Sequence, residues 1–401
     1  MSINGGIELF HLSETTDERR AGRLFFAMNV ILFTCFATFI PYLSAYYVSH
    51  GIESSQIGVL LSIGSVTTIF ILPIWSRISD QTGNRRAVLK IVILGASLSV
   101  LLFIVSKNFW ALFFTAFLFM SFYMSVVPLF DAVVISYLSK TRIKYSSIRL
   151  GGSIGFGLMI LLSGFIFAYN TTLTFILASV LFFVLFLCTW KVPQVKIEKK
   201  QKRKLDYSRI VRNKRLVFIL FIAFAIQIVS GFFYGFIGVY ILELGFTSRE
   251  IGIANFVSVI FEIPVYFVID RVLKRFSVTS VAIFCGFVVV IRMMLLFIAT
   301  GTGIVYLSMA GAGVGYITLY YSCATFINNE MEDDLKSTGQ SLLAFFQMGL
   351  GSITGSIAGG YISMYIGTRN VFMVFGAGLG IVCFICTLVF SALKIRRKLF
   401  S

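Results

Sequence analysis

The chain has 401 residues, of which 58% are hydrophobic and 13% charged, with 44 Phe against 5 Pro. A soluble protein carries about 25% charged residues, and 13% is too few to cover this much apolar surface. Disorder, collagen and coiled coil need polar or strictly repetitive compositions and are excluded on the same grounds. The chain therefore reads as an integral membrane protein.

The first segment, 1–22, is polar and mixed in charge. It lacks the basic, apolar, small-residue order of a secretory signal, so no cleaved leader is expected. A helix needs about 20 mostly apolar residues to cross the hydrocarbon core. In chain order that ruler predicts spans over 23–48, 55–76, 87–106, 108–139, 146–169 and 172–190. A basic stretch, 191–215, separates these from 216–243, 249–270, 277–299, 303–328, 337–366 and 370–393. Transmembrane strands would alternate apolar and polar residues, whereas Leu173–Cys188 is apolar on every side. The expected fold is all-α, with twelve transmembrane helices in two pseudo-symmetric six-helix bundles, 23–190 and 216–393. A short tail, 394–401, follows.

The formal charge of +17 would suggest nucleic acid in a soluble chain. In a membrane protein it reports topology, because cytoplasmic loops collect Lys and Arg. All but five of the 34 Lys and Arg fall on one side of the alternating loops. The exceptions are Lys107, Arg249 and Arg369 on the other side, and Arg149 and Arg292 within spans. Both termini are expected in the cytoplasm, and the 191–215 run reads as a solvated linker meeting anionic lipid rather than nucleic acid.

The two halves repeat. Gly51-Ile-Glu-Ser-Ser-Gln-Ile-Gly58 and Gly245-Phe-Thr-Ser-Arg-Glu-Ile-Gly252 precede the second and eighth spans. Pro73-Ile-Trp75 and Pro264-Val-Tyr266 mark the same spans further on, and Ser146–Arg149 and Ser337–Gln340 open the fifth and eleventh. Duplications of six spans let secondary transporters rock two bundles about one site. Between spans two and three, Trp75-Ser-Arg-Ile-Ser-Asp-Gln-Thr-Gly-Asn-Arg-Arg86 resembles the signature loop of the major facilitator superfamily. Asp80, Gly83, Arg85 and Arg86 match, while Ser76 stands where Gly is usual. The resemblance implies a gate at the inner face, made and broken as access alternates. The second-half echo, Asp270-Arg271 with Lys274-Arg275, is degenerate.

Ionisable groups at mid-span cost about 2.5–3.5 kcal/mol each on insertion scales and are functional candidates by default. Four stand out: Asp131, Arg149, Glu262 and Arg292. Asp131 and Arg149 lie at similar depths on consecutive spans, so a facing pair is geometrically reasonable. Asp131, then Arg149 eighteen residues on, then Phe156 resembles the lactose-permease-like and phenylpropionate-permease-like proton symporter group. In that group the acid and the Arg hold sugar hydroxyls and the aromatic stacks on the pyranose face. Arg292 matches an Arg of the ninth span in that group, and Glu262-Ile-Pro264 resembles a motif of its wider membership.

The departures bear on coupling. The group's His and Glu of span ten are absent from Met309-Ala-Gly-Ala-Gly-Val-Gly-Tyr316, and the histidines, His11 and His50, lie outside spans. An Asp–Lys pair between spans seven and eleven appears here as Tyr234 and Gln347. Asp131 and Glu262 remain as proton carriers, since low dielectric favours the neutral carboxyl. The plainer alternative makes Glu262 and Arg292 a structural pair.

Other signals read as structure. Gly151/Gly155 and Gly351/Gly355/Gly359 are small-residue stripes for close helix approach. Cys383-x-x-Cys386, within a span and with no second such pair, reads as packing. Gly311-Ala-Gly-Val-Gly315 follows no strand and is not a nucleotide loop. Tyr42, Tyr46, Tyr47, Tyr316, Tyr320 and Tyr321 suit either a cavity wall or packing. The function expected is secondary active transport in the cell membrane: proton-coupled import of a sugar or glycoside by a monomer among its lipids. No cofactor beyond the proton gradient and no nucleic-acid partner are expected. Organic-anion or nucleoside uptake and drug efflux are the alternatives. A membrane-embedded enzyme is disfavoured, because no His–carboxylate cluster or Ser–His pair lies in a span.

Overall fold

The computed structural model describes residues 16–139, 141, 143–193, 213–331 and 335–399. Most of the expected linker, the first fifteen residues with His11, and the last two residues lie outside the described residues. No strand occurs among the described residues. Among the described residues, twelve helical spans are long and apolar enough to cross a membrane: α1 Asp17–Ser49, α2 Ser54–Thr82, α3 Arg85–Val105, α4 Phe109–Leu138, α5 Tyr145–Tyr169 and α6 Thr171–Lys191. They continue as α7 Lys214–Glu243, α8 Ser248–Arg275, α9 Val278–Ile298, α10 Thr302–Asn329, α11 Thr338–Ile366 and α12 Thr368–Ala392.

Polar residues at the span ends explain where helices start. Asn84, Asn108, Asn170 and Asn213 each accept a backbone N–H of the first turn through Oδ1. Thr247 and Glu250 form a reciprocal capping box at α8. Such caps satisfy donors that have no partner inside the helix. The duplicated turns end the preceding helices in the same way. Gly51 and Gly245 both adopt positive φ, 70° and 84°. In each, the following residue donates five residues back, Ile52 to Tyr47 and Phe246 to Ile241, the Schellman pattern that favours Gly.

Several spans are broken internally. Pro41 opens a 3-10 turn, Ile40–Tyr42, within α1. α2 breaks at Ile71, just before Pro73. α11 contains a π-helical turn, Phe345–Gly351.

The chain divides into two compact units: described residues within Met1–Leu43 and Thr67–Gln201, and those within Ser44–Val66 and Lys202–Ser401. In the first unit α1 lies along α5 and α6, and α3 along α4 and α6. In the second, α7 lies along α11 and α12, and α10 along α8 and α9. The glycine stripes set these contacts. A side chain at Gly155 would strike the Val30 carbonyl, and one at Gly355 the Ile228 carbonyl. α7 is the most enclosed span, 67% of its apolar window being buried, and α8 the least, at 17%.

The seam predicts a stability difference. Gly355→Leu meets backbone that cannot yield and should cost about 1–3 kcal/mol. Gly378, which has nothing within 4 Å of a side-chain position, should accept Ala without loss. Thermal unfolding of the detergent-solubilised variants checks this, and equal midpoints for both would refute the seam.

Candidate functional site

The loop between α2 and α3 is a Gly–Asn turn. Gly83, at φ 65°, ends α2 in the left-handed conformation, and Asn84 then caps α3. Arg85 Nη2 pairs with Asp80 Oδ1 at 3.3 Å. Arg85 Nη1 donates to the Ala132 carbonyl at 3.2 Å and to Ser136 Oγ, both on α4. Arg86 donates to the carbonyls of Thr189 and Trp190 at the end of α6, where the helix dipole favours cations. Lys90 Nζ stands 3.7 Å over the Trp190 ring. The Lys90–Trp190 contact was not legible beforehand, because 100 residues separate its partners. In the second unit Asp270 Oδ1 accepts from the Tyr321 hydroxyl at 2.8 Å.

The first unit gathers Asp131 of α4, Tyr145 and Arg149 of α5, and Phe33 of α1. Asp131 follows Pro128, which interrupts the hydrogen bonding of α4. Its Oδ1 is buried with no hydrogen-bond partner among the described residues. Tyr145 and Arg149 are the groups that act on it electrostatically. The Arg149 guanidinium lies over Phe33, 4.1 Å from the ring centroid. Arg149 and Ser153 are exposed and Phe156 is half-exposed, so one face of α5 presents all three at one-turn spacing. Asn29, one turn before Phe33 on α1, is fully buried, with neither amide atom partnered among the described residues.

The second unit repeats the stacked cation. Arg292 of α9 is 3% exposed, and its guanidinium lies 4.3 Å over Phe233 of α7. Arg292 Nε donates to the Ser308 carbonyl of α10 at 2.8 Å, and Nη2 has no partner among the described residues. A desolvated cation–π contact is worth about 2 kcal/mol, which offsets part of the burial. Glu262 of α8 takes the Tyr266 hydroxyl at 3.0 Å. Tyr234, whose ring meets Tyr316 edge-on at 6.1 Å, is acted on by both Arg292 and Glu262. The expected site residues Arg292, Tyr234 and Glu262 thus form one neighbourhood.

Gln347 lies in the π-helical turn, 1% exposed, with neither amide atom partnered among the described residues. Phe33, Phe233 and Ser308, which hold the two guanidinium groups, gave no sequence signal beyond being common residues of apolar helices. Cys383 and Cys386 are buried free thiols. Tyr42, Tyr46 and Tyr47 are buried in packing, while Tyr320 is exposed.

The loop contacts carry a prediction. Asp80→Asn keeps the volume and loses the charge that holds Arg85, so insertion and folding should be nearly intact while transport slows several-fold. Wild-type rates in a well-inserted Asp80→Asn protein would remove Asp80 from gating.

Comparison with known proteins places the chain. Residues 25–374 match the MFS_1 like family. The uncharacterized transporter YwbF of Bacillus subtilis (strain 168) is 26% identical over 357 residues, covering 86% of this chain and 88% of that protein. The maltose permease of Geobacillus stearothermophilus is 22% identical over 341 residues, covering 83% and 85%. Among solved structures, a variant of the nucleoside transporter NupG superposes with a TM-score of 0.80 at 16% identity, covering 92% of this chain and 99% of that one. With its twelve apolar spans, the chain belongs to the MFS_1 like family and is a multi-pass membrane transporter of the major facilitator kind.

Proposed function

We propose that this transporter imports a small hydroxylated ring compound, a sugar or glycoside, together with a proton. Alternating access in the cell membrane, with both termini cytoplasmic, is the mechanism. The observation that carries the reading is the pair of stacked arginines. Arg149 and Arg292 each rest on a phenylalanine ring, and each neighbourhood includes a carboxylate, Asp131 or Glu262. Within each neighbourhood one cation and one acid balance, which suits a neutral solute better than an anion. A guanidinium offers paired planar donors to vicinal hydroxyls, a carboxylate accepts from them, and a ring such as Phe156 covers an apolar sugar face.

In this mechanism Asp131 and Arg149 hold the solute from α4 and α5. Arg292, Tyr234 and Gln347 contribute from α9, α7 and α11. Glu262 carries the proton, with Tyr266 on its carboxylate and Tyr234 as the link to Arg292. Asp80, Gly83, Arg85 and Arg86 form the inner gate. The name of the maltose permease relative agrees with a sugar. Nucleoside uptake is the second reading. It is favoured by the unpaired Gln347 carboxamide, which matches the amide edge of a nucleobase, and a ribose offers the same hydroxyls.

Two experiments test these roles. Arg149→Lys keeps the charge and loses the planar fork, so affinity should fall roughly tenfold or more at normal expression. Unchanged affinity would make Arg149 structural. Glu262→Gln mimics a permanently protonated carboxyl, so counterflow exchange should survive in vesicles while gradient-driven accumulation fails. Asp131→Asn should damage both. Equal loss of both activities in Glu262→Gln, or normal accumulation, would take Glu262 out of coupling.

A further inference from the structure

We propose that Asn29 is a substrate-contacting residue that sets specificity, its carboxamide reading an adjacent donor and acceptor on one edge of the solute. The inference deepens the reading above and rests on it. Asn29 is 0% exposed, and neither Oδ1 nor Nδ2 has a hydrogen-bond partner among the described residues. A buried amide left without partners is destabilising and is rarely retained in a helix seam without a use.

Its surroundings locate that use. A side chain built at Gly152 would meet both Asn29 Oδ1 and the edge of the Phe33 ring, so the amide and the ring border one point on α5. Gly152 is one turn beyond Arg149, and the Arg149 guanidinium covers the same Phe33 ring. Ser153 and Phe156, on the same face of α5, are not buried. The amide therefore sits directly behind the face that presents Arg149. In the proposal the solute reaches the amide where the guanidinium leaves Phe33 and the α1–α5 seam opens at Gly152.

The second unit provides an internal control. There Gln227 of α7 borders Gly351 of α11, and Gln227 Nε2 donates to the following residue, Ser352, at 2.9 Å. A serine, Ser153, likewise follows Gly152, yet Asn29 makes no such bond. The carboxamide of the second unit is used in packing, whereas that of the first is left open. A carboxamide presents two N–H donors and two acceptor lone pairs in one plane, so one edge offers a donor beside an acceptor. It pairs with a vicinal diol of a sugar or with the lactam edge of a nucleobase.

The test uses full-length purified protein, maltose, uridine and 3-methyluridine as probes, and Asn29→Leu as the variant. Leucine removes two orphaned polar groups and keeps the branched shape, so the gain from removing them offsets the cost of its larger volume and the unliganded melting temperature should change little. Affinity for the probe that the wild type binds should fall at least tenfold. If the edge read is a diol, the loss appears with maltose. If it is a lactam, the wild type prefers uridine to 3-methyluridine about tenfold or more, and the variant erases that preference. Unchanged affinity for every probe bound by the wild type would overturn the proposal. Wild-type protein that binds none of the three probes would instead overturn the hydroxylated-ring reading itself, a result distinct from a variant that binds as well as the wild type.

Discussion

A guanidinium inside an apolar helix bundle has to find its partners within the protein, and the neighbouring helices are arranged to supply them. Arg292 spreads its demand over two other spans: the Phe233 ring of α7 and the Ser308 carbonyl of α10. The carbonyl is already used by its helix, so it accepts a second bond from a spare lone pair at no cost to the backbone ladder. Gly311, on α10, lies against the arginine stem, where a side chain would collide. One charge thus dictates an aromatic, a glycine and a helix spacing on two other spans. Arg149 follows the same logic less completely, being stacked on Phe33 but exposed, which leaves its donors open to a ligand.

The backbone irregularities obey the same constraint. Non-helical backbone at membrane depth persists only where protein or water satisfies it. The breaks at Pro41 and before Pro73, and the π-helical turn of α11, fall in spans that also carry close glycine contacts or unpaired polar side chains. The π turn has a packing consequence. Leu343, Gln347, Gly351, Gly355 and Gly359 are buried at intervals of four, whereas an α-helix needs 3.6 residues per turn. A wider turn of roughly 4.4 residues slows the drift of that stripe around α11 and helps to keep Gln347 on the buried side.

Much was readable beforehand, and for a definite reason. Span number and helix type depend on local composition, which the order of residues states directly. The shared Gly51 and Gly245 turns were equally visible, because only Gly adopts that conformation cheaply. The major facilitator family, indicated by Asp80, Gly83, Arg85 and Arg86, was legible from spacing within one loop. The candidate charges Asp131, Arg149, Glu262 and Arg292 were found because ionisable residues are rare in apolar runs.

What the order of residues could not state was which partner each charge takes. Phe33 and Phe233 are two of 44 Phe, and nothing local marks them as cation seats. Ser308 serves through its carbonyl, which every residue has. Glu262 and Arg292 are marked on paper only as two charges; the structure adds the Tyr266 hydroxyl to Glu262 and the Ser308 carbonyl to Arg292, with Tyr234 acted on by both. Asn29 is an unremarked polar residue in a helix until the α1–α5 seam closes over it. Composition and periodicity alone determined that this chain crosses the membrane twelve times as helices, since the bilayer imposes length and apolarity on each span separately. Tertiary structure decided which charges are stacked, which amides are left unpaired and which carboxylate meets a tyrosine, because those outcomes depend on helices distant in sequence meeting at one depth.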